Sequence, residues 1–161
     1  KIKQKLDSEG TDYCKNLSLG IMIETPASAI MADVFAKHCD FFSIGTNDLV
    51  QYVMAADRGN SDVENIYNPY HPSVLRMINR VIKAGADESI EVSVCGDLAA
   101  NTNFTALLLG MGLKKFSVPI PMTARIKHKI QSVKLSEAKI LAEKVLSCSD
   151  EHEIKNILKE D

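Results

Sequence analysis

The stretch 41-FFSIGTNDLVQY-52 decides the fold, because it joins a strand of the buried type to an amphipathic helix through a polar turn. Residues 41–45 are mostly apolar, as in a strand buried within a sheet. An amide and a carboxylate, Asn47 and Asp48, follow at once. Two interpretations are open: Asp48 caps a helix that begins at Leu49, or both residues bind a ligand at the mouth of an α/β sheet.

Strand-like and helix-like segments alternate on both sides of this stretch. Residues 17–24 (LSLGIMIE) are apolar enough for a strand that is buried on both faces, and residues 91–96 (EVSVCG) and 114–118 (KKFSV) follow as the third and fourth strands. Such alternation predicts right-handed crossovers and a parallel sheet. Ligands of parallel sheets bind at the carboxyl ends of the strands, so we expect the chemistry there.

The segments between the strands carry helix signals. Thr25 is a suitable N-cap, and Pro26 suits the first helical position. The spacing predicts that one apolar face of this helix consists of Ala27, Ile30, Met31, Val34 and Phe35. A second amphipathic helix is indicated by Val74, Leu75, Ile78, Val81, Ile82 and Gly85. The polar loop at residues 58–71 is longer than most loops that have no function, and helices are predicted from about Pro121 onward.

The composition is that of an ordinary globular domain. The 161 residues are 45% hydrophobic and 25% charged, and the formal net charge is -2 with both signs scattered. This pattern argues against a nucleic-acid partner and against a membrane-surface partner. Neither a signal peptide nor a membrane-spanning run is visible in the sequence. The four cysteines form no C-x-x-C pair, which fits reduced thiols in a cytoplasmic protein.

Three of the four predicted strands end at, or are directly followed by, residues with polar or reactive side chains. Glu24 ends the first strand, Asn47 and Asp48 follow the second, and Cys95 ends the third. Adjacent parallel strands lie about 4.8 Å apart, so carboxylates at neighbouring strand ends can share one hard cation. Mg²⁺ suits such a site, because it takes one or two protein carboxylates and keeps positions for water and substrate oxygens. A carboxylate at the end of an apolar strand, such as Glu24, needs a partner.

Three further residues have both a chemical and a structural interpretation. Cys95 is a candidate general acid or nucleophile, although free cysteines are more often inert apolar residues. Arg58 offers a planar fork for phosphate or carboxylate, or it is a solvated loop residue. His71 precedes Pro72 at the start of a helix, where a structural role is favoured over a catalytic one.

Four ordered blocks resemble the phosphoenolpyruvate-utilising enzymes. They are GIMIETPASAIMAD, DFFSIGTNDLVQYVMAADRGN, YNPYHPSVLRMI and VCGDLAAN, and they extend from about Leu19 to Val118. Pyruvate phosphate dikinase and phosphoenolpyruvate synthase carry similar blocks. The second and third blocks look most like the phosphoenolpyruvate–protein phosphotransferase (Enzyme I) branch of the family.

The resemblance implies a role for each strand-end residue. Glu24 matches the first family Mg²⁺ ligand and Asp48 the second. Asn47 matches the amide that contacts phosphoenolpyruvate, and Arg58 matches the arginine that holds the phosphoryl group. Cys95 matches the cysteine taken to protonate the enolate, which yields pyruvate. None of these five positions departs from the family pattern, although Asp97 stands where Glu is usual and Val50 where Thr is usual.

The implied fold is the second half of a (β/α)₈ TIM barrel, containing its last four strands. Residues 1–161 form one partial phosphoenolpyruvate-binding domain, with barrel strands and helices at about 17–120 and carboxyl-terminal helices at 121–161. The first residue is Lys1 rather than Met, and we expect the chain to be a piece of a longer protein. We expect the piece alone to be inactive and to self-associate through an uncovered apolar inner face and two open sheet edges.

The resemblance also implies a reaction and its partners. The parent enzyme would transfer the phosphoryl group of phosphoenolpyruvate to a histidine of its own amino-terminal domain and release pyruvate, the first step of sugar uptake. Its protein partners would be the phosphocarrier protein HPr and a second copy of itself. Three alternatives stay open: a dikinase or synthase relative, a Mg²⁺-dependent lyase or aldolase, and a non-catalytic dimerisation module.

Overall fold

The structure, a computed structural model, describes residues 1–159. Within this range the chain forms four β-strands: β1 Gly20–Ile23, β2 Phe41–Gly45, β3 Glu91–Cys95 and β4 Lys115–Phe116. The α-helices are α1 Ile2–Ser8, α2 Pro26–Ile30, α3 Ala32–Phe35, α4 Thr46–Met54, α5 Pro72–Asp87, α6 Asp97–Ala100, α7 Thr102–Gly110, α8 Thr123–Ser132, α9 Leu135–Ser147 and α10 Glu151–Lys159. None of the helices in this range is long and apolar enough to cross a membrane.

The four strands form one parallel sheet in the order β1-β2-β3-β4. Each strand is therefore the neighbour of the next one along the chain, and helical crossovers connect them. The register aligns Ile23 with Ile44, and Gly45 with Cys95. The predicted α/β class, the parallel sheet and the helices after the last strand are confirmed.

Only one face of the sheet joins the hydrophobic core. Ile23, Phe42, Ile44 and Val94 on this face are fully buried under the helices. On the opposite face Met22 is 48% exposed, whereas its neighbour Ile23 is 0% exposed. The prediction that the first strand is buried on both faces is wrong, because the helices cover a single side and alternate side chains point away from them.

The helix after β1 begins as predicted but buries a different face. Thr25 caps α2 in a reciprocal capping box with Ser28, and Pro26 occupies the first turn. The helix then breaks at Met31, the C-cap of α2 and the N-cap of α3. This break rotates small residues toward the core, so the buried side chains are Ala29, Ala32 and Ala36. The predicted apolar face is wrong, because Ile30, Met31 and Val34 are exposed.

Helix α5 carries the predicted apolar stripe and packs directly on the sheet. All six predicted positions are buried: Val74, Leu75, Ile78, Val81, Ile82 and Gly85. A Cβ on Gly85 would lie 2.2 Å from Val92 Cγ2, so this glycine permits the close approach of α5 to β3. Helix α9 packs against α7 with similar closeness, because a Cβ on Gly110 would lie 1.9 Å from the Ala138 carbonyl oxygen.

Candidate functional site

The carboxyl ends of β1, β2 and β3 meet at one edge of the sheet. β1 ends at Ile23 and is followed by Glu24, while β2 ends at Gly45 opposite Cys95, the last residue of β3. Because Ile23 pairs with Ile44, Glu24 continues the row formed by Gly45 and Cys95. Glu24 and Cys95 therefore lie along one row with Gly45 between them, whereas Asn47 and Asp48 follow Gly45 in α4.

The Glu24 carboxylate lies over Gly45. A Cβ built on Gly45 would be 2.9 Å from Glu24 Oε2 and 3.1 Å from Glu24 Cβ, so the missing side chain creates the space that Glu24 occupies. Glu24 is half-buried, and within residues 1–159 its carboxylate takes part in no ion pair or hydrogen bond. A half-buried carboxylate without a protein partner is suited to an external ligand.

Asp48 lies inside the first turn of α4 and does not cap the helix. The helix begins at Thr46 directly after β2, and Gly45 is its N-cap without any side-chain hydrogen bond. The interpretation of Asp48 as the cap of a helix starting at Leu49 is therefore wrong. Its charge is still favourable near the positive end of the helix dipole. Across the described residues, the carboxylate of Asp48 has no ion-pair or hydrogen-bond partner.

Asn47 connects the end of β2 to the turn after β3. Its Oδ1 accepts a hydrogen bond from the Asp97 N–H at 2.8 Å. A backbone N–H can only donate, so this contact assigns the amide oxygen and leaves the NH₂ group as the unpaired donor within the described chain. The backbone carbonyl of Asn47 accepts from the Tyr67 hydroxyl at 3.3 Å.

Gly96 makes the turn after β3 possible. Its φ of 91° and ψ of -172° lie in a region that is essentially restricted to glycine. A Cβ there would be 2.5 Å from Thr46 Oγ1 and 2.6 Å from Asn47 Oδ1. The same Thr46 hydroxyl donates to the Cys95 carbonyl oxygen at 2.6 Å, so the two turns are held tightly against each other.

Cys95 is half-buried at the end of β3. Its Sγ donates to the Ile44 carbonyl oxygen at 3.4 Å and accepts a hydrogen bond from Ser43 Oγ at 3.8 Å. The thiol thus lies against β2, on the same side of the sheet as Ser43. Of the other cysteines, Cys39 and Cys148 have thiol pKa values raised mainly by burial, which makes them less reactive.

Arg58 follows α4, which ends at Ala55 in the left-handed conformation. The Arg58 backbone N–H donates to Gln51 Oε1 at 3.2 Å, and its exposed side chain forms no hydrogen bond or ion pair among residues 1–159. Both interpretations of Arg58, an anion-binding residue and a solvated loop residue, are compatible with this exposed position.

The phenol of Tyr67 is influenced by three charged side chains of the candidate site. Its pKa is raised, first by burial and then by the negative charge of Asp97, while Arg58 lowers it and Asp48 raises it. Asp97 shares a pocket with Tyr67, and the charges of Arg58 and Asp48 are near enough to affect the phenol. Sequence reasoning missed Tyr67, and the only signal was the unusual length of the loop that carries it. His71, later in that loop, caps α5 by accepting from the Ser73 N–H, which confirms its structural role.

The donor set fits a divalent cation that prefers oxygen ligands. Glu24 and Asp48 are the two candidate carboxylates, and neither is engaged by a basic side chain of the described chain. Residues 1–159 contain no cluster of three or more His, Cys, Asp or Glu side chains that could hold a metal ion. A two-carboxylate site fits Mg²⁺, which retains several positions for water and substrate oxygens.

One small pocket borders part of the candidate site. A small pocket of about 70 Å³ is lined by Asn47, Tyr67 and Asp97, among others. A larger cavity of about 490 Å³, lined by Ile82, Glu91 and Lys115, lies at the amino ends of β3 and β4. Sites in parallel sheets form at the carboxyl ends, so the larger cavity is not the candidate.

The chain is thus an α/β protein with a candidate ligand site at the carboxyl edge of a parallel sheet. Comparison with known proteins identifies the family more narrowly. Residues 1–135 match the PEP-binding domain of the PEP-utilising enzymes, and the chain belongs to this family.

Its relatives agree with this assignment. The chain is 45% identical over 159 residues to the phosphoenolpyruvate-protein phosphotransferase of Haemophilus influenzae. The matched segment covers 99% of this chain and 28% of the relative. The proteins of the same name from Buchnera aphidicola and Staphylococcus carnosus are 45% and 40% identical over 158 residues, again with 98% of this chain and 28% of the relative covered. The chain therefore spans about 28% of the length of these curated relatives.

Proposed function

We propose that this chain is the phosphoenolpyruvate-binding part of a phosphoenolpyruvate–protein phosphotransferase. The whole enzyme transfers the phosphoryl group of phosphoenolpyruvate to a histidine of its own amino-terminal domain and releases pyruvate, as the first step of sugar uptake. The observation that carries the proposal is the row of Glu24, Gly45 and Cys95, followed by Asn47 and Asp48 in the first turn of α4. The names of the relatives support the same reaction.

We propose further that the sheet is the second half of a (β/α)₈ barrel. Two features support this: strands that neighbour each other in chain order, and helices on a single face. A doubly wound sheet would instead carry helices on both faces. In this proposal residues 17–120 supply the barrel strands and helices, residues 121–159 supply the carboxyl-terminal helices, and the open face of the sheet lines the barrel interior. The last two residues of the predicted range 121–161 lie outside the described residues.

Glu24 and Asp48 are the proposed Mg²⁺ ligands. When bound, the cation supplies positive charge that neutralises the carboxylate and phosphate oxygens of the substrate. Glu24 occupies the space over Gly45, and Asp48 lies in the first turn of α4.

Asn47 and Arg58 are the proposed substrate-binding residues. The Asp97 N–H engages the amide oxygen of Asn47, which directs the remaining NH₂ group to a substrate carboxylate or phosphate oxygen. Arg58 offers two parallel N–H donors to the phosphoryl group and stabilises its charge during transfer. Positioning and electrostatics of this kind account for most catalysis of phosphoryl transfer.

Cys95 is the proposed catalytic acid. After the phosphoryl group has left, the electron pair of the enolate C=C bond takes the thiol proton at the methylene carbon, which gives the methyl group of pyruvate. The electron pair of the broken S–H bond stays on sulfur. The half-buried thiol at the end of β3 supports this role, because it lies in the same row as Glu24.

The proposed partners and location follow the parent enzyme. They are phosphoenolpyruvate and pyruvate, the phosphocarrier protein HPr, and a second copy of the enzyme in a homodimer in the cytoplasm. The exposed apolar side chain of Ile120, in the segment after β4, supports an assembly that covers it.

Calorimetric titration of phosphoenolpyruvate in the presence of Mg²⁺ tests the site in the intact protein. Glu24→Gln and Asp48→Asn should each weaken binding about tenfold or more, because each removes a charged ligand. Asp62→Asn, an exposed loop residue, is the control and should leave the affinity unchanged. Equal affinities in all three variants would contradict the proposed cation site.

The acid role has its own test. Cys95→Ala should abolish most pyruvate formation in the intact enzyme while Mg²⁺-dependent binding of phosphoenolpyruvate persists. Cys14→Ala, which removes an exposed thiol, is the control. Normal turnover of the Cys95→Ala enzyme would exclude the thiol as the acid. If the intact enzyme released pyruvate by cleaving a keto acid and not from phosphoenolpyruvate, the lyase alternative would be favoured.

A further inference from the structure

Ser43 lies beside the proposed catalytic thiol on the open face of the sheet. Its Oγ donates a hydrogen bond to Cys95 Sγ at a distance of 3.8 Å, which is within the range for sulfur acceptors. The thiol in turn donates to the Ile44 carbonyl oxygen at 3.4 Å. The sulfur is therefore held between a hydroxyl donor and a carbonyl acceptor, both supplied by β2.

We propose that Ser43 is a positioning residue for proton transfer by Cys95. It orients the thiol in the resting protein and stabilises the thiolate once the proton has moved. The proposal rests on the proposed function, because it assumes that Cys95 protonates the enolate. It assigns a role to a side chain that the sequence analysis did not single out.

The proton balance shows when the Ser43 hydroxyl matters most. When the S–H bond breaks, a C–H bond forms at the methylene carbon and the electron pair remains on sulfur. The new thiolate can no longer donate to Ile44, but it becomes a much stronger acceptor for the Ser43 O–H. A proton from solvent water restores the thiol after pyruvate has left, so no other reactant is consumed.

Ser93 provides an internal comparison. It pairs directly with Ser43 across β2 and β3, so both serines lie on the same open face. The Ser93 hydroxyl, however, donates to the Phe42 carbonyl oxygen at 3.3 Å. The two residues share side-chain chemistry, strand environment and partial burial. They differ in whether the hydroxyl reaches Cys95, which makes Ser93 the matched control.

Site-resolved alkylation of the intact protein tests the proposal without any substrate. Iodoacetamide reacts with the thiolate, and mass spectrometry of peptides gives the rate at Cys95 separately from the other cysteines. In Ser43→Ala we expect alkylation of Cys95 to be about threefold to tenfold slower near neutral pH, because the thiolate loses a donor. The midpoint of its pH profile should move upward.

The control variants make the result specific. Ser93→Ala should change the rate by less than about twofold, as expected for a residue outside the interaction. Ser43→Thr keeps the hydroxyl and suits a strand, so it should restore the rate and the midpoint. Slow alkylation of the buried Cys148 in every variant verifies that the fold is intact.

Two outcomes overturn the proposal. One is a rate and pH profile in Ser43→Ala that match those of Ser93→Ala, and the other is failure of Ser43→Thr to restore them. Neither outcome affects binding of phosphoenolpyruvate and Mg²⁺, which the calorimetric titration measures independently. Failure of the proposed function and failure of the Ser43 role are therefore distinguishable.

Discussion

The two faces of the parallel sheet differ although the same four strands form both. The covered face presents Phe42, Ile44 and Val94 to the helices, and these side chains are fully buried. The open face presents Ser43 and Ser93 from the intervening positions, and both are only half-buried. Because strand side chains alternate, neighbouring residues of one strand serve different purposes.

Because of this difference, the residues that stabilise the fold and the residues of the candidate site lie on opposite faces of the sheet. The covered face joins the hydrophobic core, and burial of apolar surface is the main favourable term in folding. The open face contributes little to that term, and its carboxyl end carries Glu24 and Cys95. We therefore expect substitutions on the covered face to unfold the protein, and substitutions on the open face to alter the site.

The largest effect is expected from Phe42→Ala. Phe42 is fully buried, and loss of its ring leaves a cavity between the sheet and the helices. The free energy of unfolding should fall by about 3–5 kcal/mol, as is typical for a buried phenylalanine. Urea denaturation monitored by circular dichroism measures this free energy. Ser93→Ala on the open face should lower it by less than about 1 kcal/mol. Similar losses for both variants would contradict the idea that the covered face, and not the open face, stabilises the fold.

Gly96→Ala should have the next largest effect, because it strains the turn that joins β3 to the site. An alanine with φ near 91° is disfavoured, and its Cβ would collide with Thr46 Oγ1 and Asn47 Oδ1. We expect a loss of about 2–3 kcal/mol in the free energy of unfolding, combining backbone strain with the collision. Thermal or urea denaturation measures this loss.

Gly112→Ala is the matched control for the turn. Gly112 also has a positive φ, of 101°, but the nearest atom to its Cβ would be Ile82 Cγ2 at 3.8 Å. It therefore reports backbone strain alone. If Gly112→Ala lowers the free energy of unfolding as much as Gly96→Ala does, then the collision of the added Cβ with Thr46 and Asn47 contributes nothing to the loss.

Gly45→Ala should leave the fold intact and weaken the site. Gly45 has an ordinary φ of -82°, but its added Cβ would be 2.9 Å from Glu24 Oε2 and would displace the carboxylate. We expect the Mg²⁺-dependent affinity for phosphoenolpyruvate to fall about tenfold, which corresponds to about 1.4 kcal/mol. Calorimetric titration measures it, with the exposed Gly59→Ala as control. An unchanged affinity would mean that Glu24 does not bind the cation.

Much of the architecture could be predicted from the sequence because local signals and tertiary packing agree. The apolar stripe of α5 and the Thr25 cap require only spacing and side-chain chemistry, and both were predicted. The positions of Glu24, Asp48 and Cys95 at the strand ends also follow from the order of the segments. The family was recognised because four blocks occur in one order.

Features that depend on packing could not be predicted in this way. The open face of β1 could not be predicted from an apolar run such as GIMI, because such a run does not indicate that the helices cover only one side of the strand. The break at Met31 rotates the apolar face of α2 and α3 by an amount that spacing alone does not define. Ser43 and Tyr67 acquire their significance from contacts across 52 and 20 residues of chain.

The smallest effect is expected in the titration of Tyr67, at the rim of the site. Burial and the charge of Asp97 raise the pKa of its phenol above the ordinary value of 10.0, and Arg58 opposes the shift. The protonated phenol is therefore favoured by the folded state. Its contribution to stability is fully present below pH 10.0 and is lost as the pH rises through the folded pKa. The difference in phenolate absorbance between the wild type and Tyr67→Phe isolates this titration.

Charge substitutions around Tyr67 give opposite predicted shifts. Asp97→Asn removes a negative charge and should lower the Tyr67 pKa, whereas Arg58→Gln removes the opposing positive charge and should raise it further. The shifts should be small, because solvent screens charges at a half-exposed rim. Movement in the same direction, or no movement in either variant, would show that these side chains do not gather around the phenol. Opposite shifts would place Arg58 and Asp97 beside Tyr67, at the rim of the candidate site.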